Sequence, residues 1–207
     1  MKAMEYNKKE INLNRKLNAL DKFVIDFISL LDNYVIVSGY VSILFGRSRA
    51  TEDVDLLIPK ITKEQFKDAW KKIHENGFEC LNTSKIEDAF EMLKEHAIRF
   101  SRKGKPIPNM EFKMIKTDLD RYSLKNKIKV ILNKWKIYIS PIEMQISYKL
   151  FLGSEKDLED AVHLYVVFNE KLNKEELTYL INKLKVNDNF KLIENLEKNE
   201  NRFREIK

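Results

Sequence analysis

The chain has 207 residues, of which 43% are hydrophobic and 34% are charged, so it is long enough for one substantial core or for one domain with a helical extension. No window approaches the roughly 20 consecutive apolar residues of a membrane-spanning helix, and the first residues lack the apolar core of a secretion signal. The single cysteine excludes an internal disulfide. We therefore expect a cytoplasmic protein without membrane contact. The net charge of +6 suits a polyanionic partner, but a lysine-rich surface without a dedicated function accounts for it equally well.

The first predicted element is an amphipathic helix from about residue 13 to residue 31. Its apolar side chains recur every three or four residues, which places them on one face. These side chains are Leu17, Leu20, Val24, Phe27 and Leu31. Asp32-Asn33 ends the helix, and the apolar run 34–37 then predicts a short buried strand.

The segment that follows this strand is a candidate phosphate-binding segment. Ser38-Gly39 turns the chain and opens a short helix, whose free amide groups and dipole suit a phosphate. Arg47 and Arg49 come after this helix and add permanently charged, forked donors for phosphate oxygens.

Asp53 and Asp55 open the next predicted strand, which is apolar from there to residue 58. Because side chains alternate along a strand, the two carboxylates share one face and lie about 7 Å apart along the chain. Carboxylates so close repel each other unless a positive charge lies between them. Mg²⁺ suits such a site, since it takes one or two carboxylates together with phosphate oxygens and water. Two acids alone are common on surface strands, but with the preceding turn and arginines they predict a metal-dependent nucleotide site.

This order of features resembles the signature of the nucleotidyltransferase (polymerase-β-like) superfamily, and more narrowly the branch related to AbiEii-type toxins of toxin–antitoxin systems. The resemblance implies an α/β (α+β) fold with a mixed, curved sheet flanked by helices and a C-terminal helical region. It implies Ser38 and Gly39 on the nucleotide phosphates, and Mg²⁺ (or Mn²⁺) on Asp53 and Asp55, with Thr51 as the hydroxyl that precedes these acids. Ser38 stands where the family usually has glycine.

The middle of the chain alternates predicted helices and strands. A capping box at Thr62–Gln65 starts a helix that runs to about residue 76. A strand (78–81), a helix (88–95) and a strand (97–101) follow. We expect the Gly/Pro-rich residues 103–108 to form a loop close to the site.

The next predicted strand, 110–115, carries apolar side chains on one face and Glu111 with Lys113 on the other. The resemblance implies a third acidic metal ligand on a neighbouring strand, and Glu111 matches that position. Asp118 and Asp120 form a rival pair of acids, although the threonine before them favours a capped helix start. We prefer Glu111 and keep the downstream pair as the alternative.

A predicted hairpin, 129–139, leads into two predicted helices. A capping box at Ser140–Glu143 starts the first helix, Gly153 ends it, and Ser154 starts the second. Two polar helices follow, over residues 173–186 and 189–204. We therefore expect two domains: a nucleotidyltransferase-like core with its N-terminal helix over residues 1–139, and a helical region packed on it over residues 140–207.

The pair of helices that begins at residue 140 also resembles AbiEii-type relatives. Lys149 on the first helix, and Lys156, Asp157 and Asp160 on the second, match functional positions of those relatives. Apolar neighbours enclose Lys149, which suits an ammonium that neutralises charge developing on a triphosphate. An ion pair from Lys149 to Asp157 or Asp160 that only joins the helices explains the pattern equally well.

The resemblance implies an enzyme that transfers a nucleoside monophosphate from an NTP to an acceptor hydroxyl. Asp53, Asp55 and Glu111 would hold the metal, Lys149 and Asp157 would assist catalysis, and the residues on the nucleotide would be Ser38, Gly39, Arg47, Arg49, Thr51 and Lys156. Candidate acceptors are tRNA, a protein and a small molecule, and an antitoxin is a candidate partner. The alternative is a nucleotidyltransferase-like binding or regulatory module without turnover, which the altered turn and the glutamate favour.

Overall fold

The computed structural model of the protein describes residues 5–7 and 9–195. Its strands are Glu5–Asn7 (β1), Glu10–Leu13 (β2), Val35–Val37 (β3), Asp53–Ile58 (β4), Phe78–Cys80 (β5), Ile98–Arg102 (β6), Lys105–Met114 (β7), Ile128–Leu132 (β8) and Trp135–Ile139 (β9). Its α-helices are Ala19–Ile28 (α1), Gly39–Leu44 (α2), Lys63–Glu75 (α3), Ile86–Glu95 (α4), Asp118–Lys125 (α5), Ile142–Leu152 (α6), Glu155–Phe168 (α7), Lys174–Leu184 (α8) and residues 187–195 (α9). No helix within these ranges is both long and apolar enough to cross a membrane.

The strands of the described residues form one mixed sheet in the order β1-β2-β8-β9-β3-β4-β7-β6-β5. Three neighbouring pairs run parallel, namely β2 with β8, β9 with β3, and β4 with β7, whereas the others run antiparallel. The mixed α/β class with a C-terminal helical region, predicted from the sequence, is confirmed.

The described residues group into two compact units. The first contains the residues up to Tyr40 together with Arg49–Ser140, and therefore the whole sheet. The second contains Val41–Ser48 and the residues from Pro141 onward. The division between residues 139 and 140 as a domain boundary stays a prediction.

One face of the sheet carries the apolar core of the first unit. The buried side chains of this face on β4 and β7 are Val54, Leu56, Ile58, Met110, Phe112 and Met114. Phe27 of α1 packs against this face, with its ring centroid 6.3 Å from that of Phe112, 5.7 Å from that of Phe100 and 5.1 Å from that of Phe78. Burial of such side chains stabilises the fold by about 25 cal/mol per Å² of apolar surface. Because strand side chains alternate, the intervening residues of β4 and β7 project from the opposite face.

A buried charge cluster fixes the start of α1. The carboxylate of Asp21 accepts hydrogen bonds from Arg15 at 2.6 and 2.9 Å and from the Tyr40 hydroxyl at 2.9 Å. Asn18 caps the helix by accepting from the backbone N–H of Asp21 at 2.7 Å. Burial alone would raise the pKa of Asp21, but the hydrogen bonds from Arg15 and from the Asn18 backbone lower it below its ordinary value.

The second unit buries an apolar core between α6, α7 and α8. Its fully or nearly buried side chains include Leu150, Leu164, Phe168, Leu177 and Ile181. Phe45, from the segment 41–48, packs edge to face against Phe168 with the ring centroids 4.7 Å apart. Packing of this kind stabilises helices that carry only thin apolar stripes.

Several predicted boundaries are corrected. The helix predicted from residue 13 begins only at Ala19, because Asn18 caps it there and residues 10–13 pair with β8 as β2. The loop predicted over residues 103–108 is shorter, since β7 already begins at Lys105. The predicted capping box at Ser140–Glu143 is wrong: the N-cap is Pro141, whose side chain has no polar atom to accept a capping hydrogen bond. The part of the last predicted helix that covers 196–204 lies outside the described residues.

Other predicted boundaries are confirmed. In the capping box of α3, Thr62 accepts from the backbone N–H of Gln65 at 3.2 Å, and Gln65 accepts from the backbone N–H of Thr62 at 2.9 Å. The hairpin of β8 and β9 lies where its apolar runs place it. Gly153 ends α6 with a φ of +69°, the left-handed conformation that glycine adopts most readily.

Candidate functional site

A row of polar side chains crosses three adjacent strands on the face opposite the core. In the parallel pairing of β4 with β7, Asp53 lies opposite Asn109, and Asp55 lies opposite Glu111. In the antiparallel pairing of β7 with β6, Glu111 in turn lies opposite Arg99. Residues paired in this way point to the same side of the sheet. We call this row, with Lys113, the carboxylate site.

Lys113 bridges the two facing carboxylates of the site. Its Nζ atom lies 2.8 Å from Oδ1 of Asp55 and 3.4 Å from Oε1 of Glu111. Arg99 approaches the same Oε1 of Glu111 from the other side, with Nη2 at 3.6 Å. Asp55 and Glu111 are largely buried at this point, whereas the Lys113 side chain keeps 34% of its surface exposed.

The pKa values of Glu111 and Lys113 show which charges the carboxylate site stabilises. Burial raises the pKa of Glu111, and the neighbouring Asp55 raises it further, although Lys113 and Arg99 act in the opposite sense. Burial lowers the pKa of Lys113, but Asp55 and Glu111 outweigh burial and leave that pKa above its ordinary value. The site thus disfavours the ionised form of Glu111 beside Asp55, and it favours the charged form of Lys113 between the two carboxylates.

Asp53 has a different environment from Asp55. The hydroxyl of Thr51 donates to the backbone oxygen of Asp53 at 2.9 Å and lies 3.3 Å from its Oδ1. A local bond of this type fixes the chain at the start of β4. Thr51 therefore positions Asp53, consistent with its place immediately before the acids.

Asn109 adds a buried acceptor to the row. Its backbone N–H and its Nδ2 both donate to the carbonyl oxygen of Glu52, at 2.8 and 3.2 Å. Its Oδ1 is buried and has no hydrogen-bond partner within the described residues. A buried oxygen left without a donor costs about 1–3 kcal/mol. Such an atom, on the same face as Asp53, marks a place that suits a donor or a cation.

The Ser38-Gly39 turn lies at the same end of the sheet as the acids. The preceding residue, Val37, pairs with Asp55 in the antiparallel ladder of β3 and β4. Ser38 has a φ of +62°, in the left-handed region that side chains rarely adopt. Glycine adopts this conformation without steric cost, whereas the Cβ atom of serine is crowded in it. The strained turn is of the kind often retained at functional sites.

Arg49 packs directly on Gly39. A Cβ atom built on that glycine would lie 2.0 Å from Nη2 of Arg49, so only glycine leaves room for the guanidinium. The other terminal nitrogen, Nη1, donates to the carbonyl oxygen of Ala50 at 3.3 Å. The turn thus carries a permanent positive charge against its backbone, an arrangement suited to a phosphate.

The donor set of the carboxylate site fits a hard divalent cation. Within residues 5–7 and 9–195, no group of three or more His, Cys, Asp and Glu side chains is gathered as a metal cluster. The predicted trio is accordingly divided, with Asp55 and Glu111 together and Asp53 beside Thr51. Two carboxylates with an amide oxygen nearby match the ligands of Mg²⁺, which otherwise keeps water and phosphate oxygens. The ammonium of Lys113 already lies where positive charge is stabilised.

The second unit contains a separate buried ion cluster. Nζ of Lys149 lies 2.6 Å from Oδ1 of Asp157 and 3.0 Å from Oδ2 of Asp160. Lys149 is 3% exposed and Asp160 is fully buried. Ser154, the N-cap of α7, donates to the other oxygen of Asp157 at 2.5 Å. The ion pair between the two helices, one of the two explanations of the sequence pattern, is therefore present between α6 and α7.

Arg47 belongs to the same cluster. Its Nε donates to Oδ1 of Asp160 at 2.9 Å, and Nη2 pairs with Glu159. Its guanidinium is therefore held by acids of α7. Lys156, by contrast, lies exposed in the first turn of α7. The roles proposed for both residues on a nucleotide stay predictions.

The rival acids downstream serve the start of α5. Oδ2 of Asp120 accepts from the backbone N–H groups of Lys116 and Thr117, both at 2.8 Å, and the Thr117 side chain accepts from Asp120 in return. Asp118 pairs with Arg121 at 2.5 Å on the surface. These contacts give both acids a capping and pairing role.

Three residues of the carboxylate site, Lys113, Asn109 and Arg99, were not singled out from the sequence. The alternation along residues 110–115 placed Lys113 on the face of Glu111, but no pattern indicates that its ammonium reaches Asp55 on another strand. Asn109 lay before the predicted start of that strand, whereas β7 begins at Lys105. The register of β4 against β7 is the missing information, and it depends on contacts between distant parts of the chain.

Comparison with protein families found no match, and comparison with curated proteins found none. Comparison with solved structures found an antigenic nucleotidyltransferase-like protein from Paracoccidioides brasiliensis. The two chains are 18% identical, the similarity covers 83% of this chain and 88% of that chain, and the TM-score is 0.49.

Proposed function

We propose that this protein is a nucleotidyltransferase that uses Mg²⁺ or Mn²⁺ to transfer a nucleoside monophosphate from an NTP to an acceptor hydroxyl. The observation that carries this proposal is the facing of Asp55 and Glu111 on adjacent parallel strands, next to a turn occupied by an arginine. Carboxylates for a cation and positive charge for phosphates thus occur at one end of one sheet.

The reaction is a substitution at phosphorus. The acceptor oxygen forms a bond to the α-phosphorus, the bond from that phosphorus to the bridging oxygen of the β-phosphate breaks, and pyrophosphate leaves. The hydroxyl proton passes to a carboxylate of the site. A divalent cation would supply charge stabilisation to the phosphate oxygens when it is bound. Asp55 and Glu111 would hold it, and Asp53, at the start of the strand that carries Asp55, is the further candidate ligand.

The turn and its arginine act on the nucleotide. Amide groups of Ser38 and Gly39, with the guanidinium of Arg49, would bind the phosphates through charge-assisted hydrogen bonds. Thr51 holds the start of β4, and with it Asp53, in place. In the second unit, Lys149 and Asp157 remain candidates for charge stabilisation, as Arg47 and Lys156 do for nucleotide binding.

For the acceptor, we propose tRNA or a protein hydroxyl and, for the biological role, a toxin that is neutralised by an antitoxin. The net charge of +6 suits tRNA, which is a polyanion, and does not bear on a protein hydroxyl. If the role is that of a toxin, induced expression of the wild-type chain arrests growth, whereas the Asp55→Asn variant does not.

A second candidate is a nucleotidyltransferase-like module that binds nucleotide without turnover. The ammonium of Lys113, which lies between Asp55 and Glu111, favours it, because a permanent lysine there would take the place of a cation. The module would bind NTP without any need for metal and would form no covalent product.

The deciding experiment incubates the protein with each α-labelled NTP, Mg²⁺ or Mn²⁺, and total RNA or cell extract. The enzyme gives a labelled macromolecule that disappears with EDTA and with the Asp55→Asn variant. The Asp118→Asn/Asp120→Asn variant, which removes two acids away from the site, retains labelling. Nucleotide binding that persists in EDTA, without product under any condition, would favour the module.

A further inference from the structure

We propose that Lys113 is a resident counter-ion of the carboxylate site, and that a divalent cation can occupy Asp55 and Glu111 only by displacing its ammonium. This inference rests on the proposed function, since it concerns the same cation. It assigns to Lys113 a role that the pattern of acids alone does not contain: this lysine sets how tightly the site binds metal.

The register of β7 fixes where the ammonium lies. Lys113 follows Glu111 by two residues on one strand, so both side chains leave the same face of the sheet. The Cα atom of Lys113 is paired with that of Leu57, yet its Nζ reaches back to Asp55 at 2.8 Å. The long side chain is thus bent over the carboxylate pair, with about a third of its surface still exposed.

The same oxygens serve both positive charges. Nζ of Lys113 contacts Oδ1 of Asp55 and Oε1 of Glu111, and these two residues are paired across β4 and β7. A cation that bridges these carboxylates needs those lone pairs and brings two positive charges to a pair that already has one close partner. Because like charges in one confined site repel, the ammonium and the metal exclude each other.

The side chain of Lys113 can move away from Asp55 and Glu111. It keeps 34% of its side-chain surface exposed, so its flexible stem can carry the ammonium outward without opening the core. Arg99 lies at a longer distance, 3.6 Å from Glu111, and its fork can stay beside the carboxylate when the lysine moves. The site thus has two states, one with the ammonium of Lys113 on the carboxylates and one with it moved away. A ligand shifts such an equilibrium only by binding the two states with different affinity, and the metal binds only the state in which the lysine has moved away.

The test measures binding of Mn²⁺ alone, without nucleotide, by electron paramagnetic resonance titration of the full chain. Lys113→Met removes the competing charge and keeps most of the stem. We expect its Mn²⁺ dissociation constant to be lower than that of the wild type by about tenfold or more, a factor that corresponds to about 1.4 kcal/mol. Lys113→Arg keeps the charge and is expected to bind Mn²⁺ like the wild type.

Lys105→Met is the matched control, because it removes the same charge from an exposed position of the same strand. Its Mn²⁺ affinity should stay within about twofold of the wild type, since exposed charges act weakly through water and salt. If Lys113→Met folds poorly, Lys113→Gln serves instead, because it can still donate hydrogen bonds to both acids.

The outcomes separate this inference from the proposed function. If Asp55→Asn weakens Mn²⁺ binding but Lys113→Met leaves it unchanged or weaker, Lys113 is not a competing counter-ion although the metal site stands. If Asp55→Asn has no effect on Mn²⁺ binding, the metal site itself is wrong. If neither the wild type nor Lys113→Met binds Mn²⁺, the inference is overturned, whereas binding by Lys113→Met alone would support it most strongly.

Discussion

The guanidinium of Arg49 lies so close to Gly39 that a single added methyl carbon on the glycine would be 2.0 Å from Nη2. Gly39→Ala should therefore displace the far end of the arginine side chain, because that end moves more easily than the backbone. We expect NTP affinity to fall about tenfold. A hydrogen bond to a charged group contributes about 1.5–3 kcal/mol, and the displaced arginine would lose part of that contribution. The measurement is isothermal titration with NTP and Mg²⁺.

A double-mutant cycle identifies the cause. If Gly39→Ala acts by moving Arg49, then Arg49→Met weakens NTP binding equally, and the double variant is no weaker than either single variant. Additive losses would mean that glycine and arginine act separately, against the arrangement described here.

Glu111→Gln tests the electrostatics of the carboxylate site. Because the folded protein raises the pKa of Glu111, chiefly through burial, it holds the proton of this group more tightly than the unfolded chain does. The wild type therefore loses stability as pH rises from the ordinary glutamate pKa through the raised one. Glu111→Gln should remove this loss, so that the variant gains on the wild type across that interval and keeps its gain above it.

Urea unfolding of Glu111→Gln and of the wild type at a series of pH values checks this expectation. A variant that becomes progressively less stable than the wild type as pH rises would show that the ionised carboxylate stabilises the fold. On the proposed function, the same variant loses transfer activity by about 10²-fold, the scale of one lost electrostatic contribution.

Asp21 should govern the acid sensitivity of the first unit. Burial opposes its ionisation, but the hydrogen bonds from Arg15 and from the Asn18 backbone prevail and lower its pKa. The stability that this carboxylate contributes is therefore present above the ordinary aspartate pKa and is lost as pH falls through the lowered one. We expect Asp21→Asn to be less stable than the wild type at neutral pH, and the difference to shrink in acid.

Circular dichroism thermal melts of the two proteins between neutral and acidic pH measure that difference. A constant difference across this range would mean that Asp21 stabilises α1 by packing alone and that its charge is irrelevant.

The ion cluster of the second unit gives a sharp stability expectation. Lys149→Met leaves Asp157 and the fully buried Asp160 without their ammonium. Breaking a buried pair by removing one partner typically costs about 3–5 kcal/mol. We expect a loss of that size in urea unfolding, whereas Lys156→Met, at an exposed position in the first turn of α7, changes stability by less than about 0.5 kcal/mol.

Replacing the two acids that pair with Lys149 by neutral side chains tests whether this lysine is structural or takes part in the reaction. The combination of Lys149→Met with Asp157→Asn and Asp160→Asn should recover most of the lost stability. If transfer activity is then also restored, the lysine only joins two helices. If the triple variant is stable and inactive, the cluster takes part in the chemistry.

Local pattern was enough to predict the acids but not their partners. Period-two alternation correctly placed Asp53 and Asp55 on the polar face of β4, and Val54 and Leu56 on the core face. The capping box at Thr62 and Gln65 was equally readable, because its two hydrogen bonds lie within four residues. In each case the deciding contacts are near in sequence.

Distant contacts account for what the sequence did not predict. Residues 10–13 carry a pattern short enough to join either a helix or a strand, and their pairing with β8 decides for the strand. The bridge from Lys113 to Asp55 spans 58 residues and requires the exact register of two strands. A shift by one residue would have turned Lys113 into the core face.

Binding of NTP in the presence and absence of Mg²⁺, by isothermal titration to the wild type and to Asp53→Asn/Asp55→Asn, tests the central claim most directly. Each of the four NTPs is tried, with the Asp118→Asn/Asp120→Asn variant as the control for loss of two charges. The account predicts metal-dependent binding to the wild type and at least about a 100-fold loss in the double variant (about 2.7 kcal/mol). The melting temperature without metal should change little, because Lys113 keeps Glu111 as a partner when the charge of Asp55 is removed. Unchanged NTP affinity, together with a steep loss of stability, would contradict it and make Asp53 and Asp55 structural.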